Sequence, residues 1–81
     1  MEWVELIELT DEIVRLRYYP ERRSAVGDFG TVTYFRKKRD WQFDKIAEGY
    51  PRNYALHACM SARRIDGSGG KFKEAWLVGW Y

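Results

Sequence analysis

One stretch, Pro51 to Gly67, decides most of what this chain can fold into. Pro51 suits a first helical position, because the N–H it lacks would be unpaired there anyway. From there to Ile65 nothing breaks a helix, and Gly67 is a good terminator. At about 100° per residue, Tyr54, Ala55, Ala58, Ala62 and Ile65 share one face. The three alanines on that face let a helix lie close on a sheet.

The rest of the chain reads in periods of two. EIVRLRYY (12–19) places Val14, Leu16 and Tyr18 on one face, and Pro20 ends the run. GTVTYFR (30–36) sets Val32 and Tyr34 against Thr33 and Phe35, and WQFDKIA (41–47) sets Trp41 and Phe43 against Gln42 and Asp44. KEAWLVGWY (73–81) makes a last strand running to Tyr81. WVELIEL (3–9) fits a strand paired with its successor across the turn at Thr10–Glu12, with a short helix as the alternative. The expected fold is α+β: an antiparallel sheet of four to five strands with one helix on one face, ordered ββββαβ, as a single domain over residues 1–81.

Size sharpens this. Eighty-one residues bury only about 60–65% of their unfolded surface. A single cysteine forms no internal disulfide, and no paired Cys/His spacing suggests a structural metal. The fold must rest on apolar packing or on self-association. No basic segment followed by an apolar one opens the chain, and no apolar run approaches the roughly 20 residues of a membrane span. A cytoplasmic protein that does not engage a membrane is expected.

Charge and aromatic content point outward. Five acids and no base lie in residues 1–12, while the other 69 residues carry all 14 Lys and Arg against seven acids. The acidic end either steers a basic partner as a charged edge or is neutralised by folding against the basic body. Four Trp, six Tyr and four Phe are many for a core this small. One helix is not expected to cover five strands, and the alternation puts Phe35, Trp41 and Phe43, and Trp76 and Trp80 against Leu77, on both faces. The expected result is an apolar surface that needs a partner, either a second copy in a homodimer or another protein.

Catalytic chemistry finds little footing. His57 and Cys59 are the only members of their kinds and lie about 160° apart around the helix, so they cannot act as a pair. Ser61 is one turn from His57 but lacks a strained elbow, an orienting acid and an oxyanion hole. His57 reads as a boundary histidine, and Cys59 as a small buried hydrophobe. DGSGGKF (66–72) has Ile65 where a phosphate loop needs its first glycine and Phe72 where it needs Ser or Thr, so it is a connector. The chain is expected to be no enzyme, with no cofactor and no metal.

Three segments, YYPE (18–21), YPRNYALHA (50–58) and WLVGWY (76–81), resemble a group of short uncharacterised bacterial proteins with a YYPE-like strand end, a Y-A-x-H-A helix and a V-x-W-Y ending. The resemblance covers scattered positions in about the last three quarters of the chain, and residues 1–12 are additional to it. It implies a small α+β domain with Tyr18, Tyr54, His57 and Trp80 at shared positions, and it brings no established activity. Such proteins are often phage- or mobile-element-associated, which implies an inhibitor of a host or defence protein.

The functional expectation is a non-enzymatic protein-binding module with an aromatic and basic surface. Its basic members are Arg22, Arg23, Arg36, Lys37, Lys38, Arg39 and Arg64. Its aromatic members are Tyr34, Phe35, Trp41, Trp76 and Trp80, with His57 beside them. The alternative is a single-stranded nucleic-acid or RNA-binding domain, in which RKKR (36–39) would hold phosphates and the exposed rings would stack bases.

Overall fold

The computed structural model describes residues 1–21 and 23–80. Five strands and one helix follow in the order β1 (Glu2–Leu9), β2 (Ile13–Tyr19), β3 (Gly30–Phe35), β4 (Asp40–Lys45), α1 (Asn53–Gly67) and β5 (Ala75–Val78). They form one antiparallel sheet in the order β4-β3-β2-β1-β5, with α1 lying against one face. The fold is α+β, as the alternation predicts.

Residues 3–9 are strand, not helix. The first hairpin closes on Thr10, whose Oγ1 accepts from the backbone N–H of Glu12 and of Ile13 while its own N–H donates to Ile13. A bulge between Leu6 and Glu8 shifts the register, so that Glu8 faces Arg15. The strand expected over residues 73–81 is shorter than its sequence: β5 stops at Val78, where its ladder with β1 ends in the Glu2–Val78 pair.

The helix also starts later than expected. Arg52 is its N-cap without a side-chain cap, and Pro51 precedes that position, its carbonyl accepting a long bond from Tyr54 N–H. Gly67 is the last helical residue. The stop itself comes from Gly69 and Gly70, both at positive φ, whose N–H groups bond back to Asp66 and Ile65. That six-to-one and five-to-two pairing is a Schellman closure, and it gives the glycine-rich connector its role.

The core rows are Val4, then Val14, Leu16 and Tyr18, then Val32 and Tyr34, all essentially inaccessible, under Ala55, Ala58, Cys59 and Ala62 of the helix. Each fully buried Val or Leu stabilises by about 1.5–3 kcal/mol. Small helix residues bring the backbone of α1 close to the sheet, as the alanine face implies. They also leave the margins open, and aromatics fill them. Trp41, Phe43, Tyr50, Phe72, Trp76 and Trp80 all pack against the buried cluster from its rim.

Large rings stand on both faces: Trp3 and Tyr19 pair on the side away from the helix, while Trp41, Phe43 and Trp76 fill the rim on the helix side. Trp41 pairs with Tyr34, Phe43 with Val32 and Trp76 with Val4, so all three project to the helix side. Phe35, one residue out of phase, is on the other side. One helix with an aromatic rim covers what the helix alone would not.

The second face is mixed: Trp3 with its partners Tyr19 and Leu77 makes an apolar part, Ile13 and Phe35 another, and polar pairs lie between them. Glu5 binds Arg17 at 3.8 Å and accepts from the Tyr19 hydroxyl, and Arg15 binds Glu8 at 3.0 Å. Thr33 accepts from Arg15 and donates to Asp44, which also accepts from Gln42. The Phe29 ring lies beneath Arg17 and Lys45. The acidic start of the chain is therefore no exposed edge: β1 lies between β2 and β5, Glu5 and Glu8 are paired with arginines, and Glu2 is buried.

Candidate functional site

Charge gathers at one end of the molecule, around the turn between β3 and β4. Arg36 anchors that turn. Its Nε and Nη2 donate to Asp66 Oδ1 at 3.0 and 2.8 Å, and its Nη1 donates to the Thr10 carbonyl at 2.7 Å. One guanidinium thus ties the first hairpin turn, the end of β3 and the last turn of α1, and it lies over the Phe72 ring. Both charged groups are largely shielded, with side-chain exposures of 22% and 17%. Arg36 is a structural tie and has little left to offer a partner.

The next three residues differ. Lys37, Lys38 and Arg39 are exposed, and Arg39 turns the chain with φ of 54°. Among the described residues none of the three has a carboxylate at ion-pair distance, and neither have Arg63 and Arg64 on the last turns of α1. Two open clefts flank the turn. On the second-face side, Ile13 and Phe35 with Glu12, Lys37 and Lys38 line a cleft of about 440 Å³. On the helix side, Arg39, Arg63 and Arg64 surround the half-exposed Met60 and Gly67 in one of about 300 Å³. Exposed cations beside small apolar patches can hold an acidic surface, with Arg forks for carboxylates and Met for irregular apolar contact.

The other expected site residues have different places. Tyr34 is 1% exposed in the core and cannot touch a partner, which corrects its place among the binding residues. Trp41 and Trp76 are half-buried in the aromatic rim, and the Trp76 indole N–H donates to Ser61 Oγ at 3.1 Å. Ser61 in turn donates to the Ala58 carbonyl, so its hydroxyl is fully engaged. Arg23 is exposed in the loop between β2 and β3, away from the cluster, and Arg22 lies outside the described residues. Arg63, Met60 and Ile13 were not singled out from the sequence as site residues. The i, i+3, i+4 spacing of Met60, Arg63 and Arg64 was the available signal for two of them.

His57 and Trp80 meet at the opposite end of α1, their rings stacked at 4.1 Å and 9°. Burial lowers the His57 pKa, and no side-chain hydrogen bond engages its ring among the described residues. Cys59 is fully buried, and burial, reinforced by Asp44 and Glu2, pushes its thiol up to about 12. A thiol so placed is inert. No cluster of His, Cys, Asp and Glu able to hold a metal occurs among the described residues.

The sequence pattern did not single out Glu2. It is fully buried on the core side of β1, accepts from Trp80 Nε1 at 3.2 Å through Oε1, and leaves Oε2 without a partner among the described residues. Desolvation outweighs that hydrogen bond and the nearby amino terminus, and raises its pKa from 4.5 to about 8. Its position two residues before Val4, on the core-facing period, was the legible signal.

No helix among the described residues is long and apolar enough to cross a membrane. No family model, curated protein or solved structure matches the chain.

Proposed function

We propose that this chain is a small non-enzymatic binding module of the cytoplasm that holds an acidic protein surface through its cationic end. The observation that carries the reading is the convergence of Lys37, Lys38, Arg39, Arg63 and Arg64, exposed and without carboxylate partners among the described residues, around two clefts lined by Ile13, Phe35 and Met60. Exposed cations gathered at one end, where the neighbouring Arg36 is spent on Asp66, are available to a partner. Arg36 holds the turn in one shape, which lowers the ordering cost of binding.

Two features favour an acidic protein over the alternatives. Single-stranded nucleic acid calls for exposed stacking rings beside the cations, and most of the large rings are spent in the rim around the core. A homodimer through this end would set like charges against each other. Neither His57, Ser61 nor Cys59 supplies an activated nucleophile or base. An inhibitor that covers an acidic groove on a host or defence protein would need nothing beyond such a surface.

Site-directed photocrosslinking tests this. A photoreactive residue replacing Lys38 should capture a protein whose adduct survives nuclease and disappears when Lys37, Arg39, Arg63 and Arg64 are neutralised. Adducts consisting of nucleic acid, or of a second copy of the chain, would overturn it.

A further inference from the structure

We propose that Glu2 and Trp80 form a clasp operated by pH, in which ionisation of the buried carboxyl frees residues 79–80 from α1 while the sheet stays folded. The placement of the two residues carries this. Glu2 projects from β1 into the core side with no exposed surface, and its one hydrogen-bond donor among the described residues is the Trp80 indole at 3.2 Å. Its second oxygen has no partner among the described residues.

Trp80 lies beyond the end of β5, outside the ladder. It is held by side-chain contacts, namely the stack on His57, an edge contact to Tyr54 at 5.0 Å and the bond to Glu2. Lifting it breaks no strand pairing. A neutral Glu2 suits this closed arrangement, because a carboxylic acid tolerates a dry site far better than a carboxylate.

The groups around Glu2 offer an anion little help. Tyr18 from β2 is neutral and hydrogen-bonded to Ala47, and Tyr54 and Cys59 from α1 are held neutral by burial. His57 from α1 is also kept neutral, Glu21 near Tyr54 adds negative charge, and no Lys or Arg of the described residues pairs with Glu2. Among the described residues the amino terminus is the one favourable charge, and it does not offset the burial. Once ionised in the closed form, Glu2 has the Trp80 donor and the amino terminus, which together do not offset its burial, so the anion gains by reaching water. The segment 79–80 is the part of its cover that can move without disturbing the sheet, and local opening of such a unit is far easier than global unfolding.

The test follows three signals through a pH titration of the wild-type protein: the Glu2 carboxyl carbon, the Trp80 indole N–H, assigned with Trp80→Phe, and the cross-peaks between the Trp80 and His57 rings. The carboxyl should titrate near 8, with the indole shifting at the same midpoint and the ring cross-peaks lost above it. Backbone signals of β1–β4 should hold their positions. In Glu2→Gln the indole signal and the cross-peaks should stay constant across that range. A carboxyl titrating near 4.5, an indole that ignores the carboxyl titration, or an equal indole shift in Glu2→Gln would each overturn the proposal. The wild-type titration decides the matter even where the variant does not fold.

Discussion

The ring of Tyr18 lies directly over Gly30, its partner across the β2–β3 ladder, in space that a Cβ on residue 30 would occupy. The glycine lets the ring pass to the far end of β4, where the Tyr18 hydroxyl accepts from the Ala47 N–H at 3.0 Å. One pair of residues thus sets how the end of β4 meets the sheet.

Gly30→Ala should destabilise the protein by about 3 kcal/mol, because the ring must shift and the buried Ala47 N–H loses its acceptor. Tyr18→Phe, which keeps the ring and removes the hydroxyl, should cost about 1–3 kcal/mol. Chemical denaturation of both variants checks the order: Gly30→Ala the worse, Tyr18→Phe the milder.

Arg36→Ala should cost about 1–3 kcal/mol, since it leaves the shielded Asp66 carboxylate and the Thr10 carbonyl without their donor. Amide exchange should quicken at Thr10–Ile13 and Ser68–Gly70 together, because one side chain ties both. Exchange that rose at only one of them would mean that Arg36 is not the shared anchor.

Stability should fall as pH rises. The Glu2 carboxyl has a higher pKa folded than unfolded, so the folded state holds the proton more tightly between 4.5 and about 8. Its stabilising effect is full below 4.5 and is lost progressively up to about 8, at up to about 1.4 kcal/mol per pH unit. His57 has the opposite slope: its folded pKa is lowered, so its contribution is lost as pH falls below 6.5. Thermal melts across this range should show the alkaline fall in the wild type and its flattening in Glu2→Gln.

Native Cys59 should resist aromatic disulfide reagents, because its thiol is inaccessible and its pKa is about 12. Its labelling rate should follow the opening equilibrium, rising with denaturant in step with unfolding. Rapid labelling of the fully native protein would contradict the burial.

Much of the fold was legible in residues with a clear period. Val14, Leu16 and Tyr18, and the stretch from Pro51 to Gly67, named β2 and α1 because alternation and breakers act locally. Strand order did not show, since whether β1 is an edge depends on β5 returning from the far end of the chain to pair with it. The destination of the aromatics was hidden for the same reason. Trp41 and Trp76 look like surplus along the chain, and only the narrow alanine face of α1 opens the margins they fill. At the site, RKKR read as one basic run, yet Arg36 is consumed by Asp66 from thirty residues away while its neighbours stay free. Glu2 read as one acid among five, and its burial depends on Trp80 and α1 closing over it.

The most direct test of the central claim compares wild type with the Lys37→Gln/Lys38→Gln/Arg39→Gln variant for capture of the crosslinked partner, at low and at high salt. These side chains make no ion pair among the described residues, so the variant should melt within a few degrees of wild type. Its affinity should fall about tenfold or more at low salt, and its salt dependence should flatten. A variant that binds as tightly as wild type, with the same response to salt, would contradict the account.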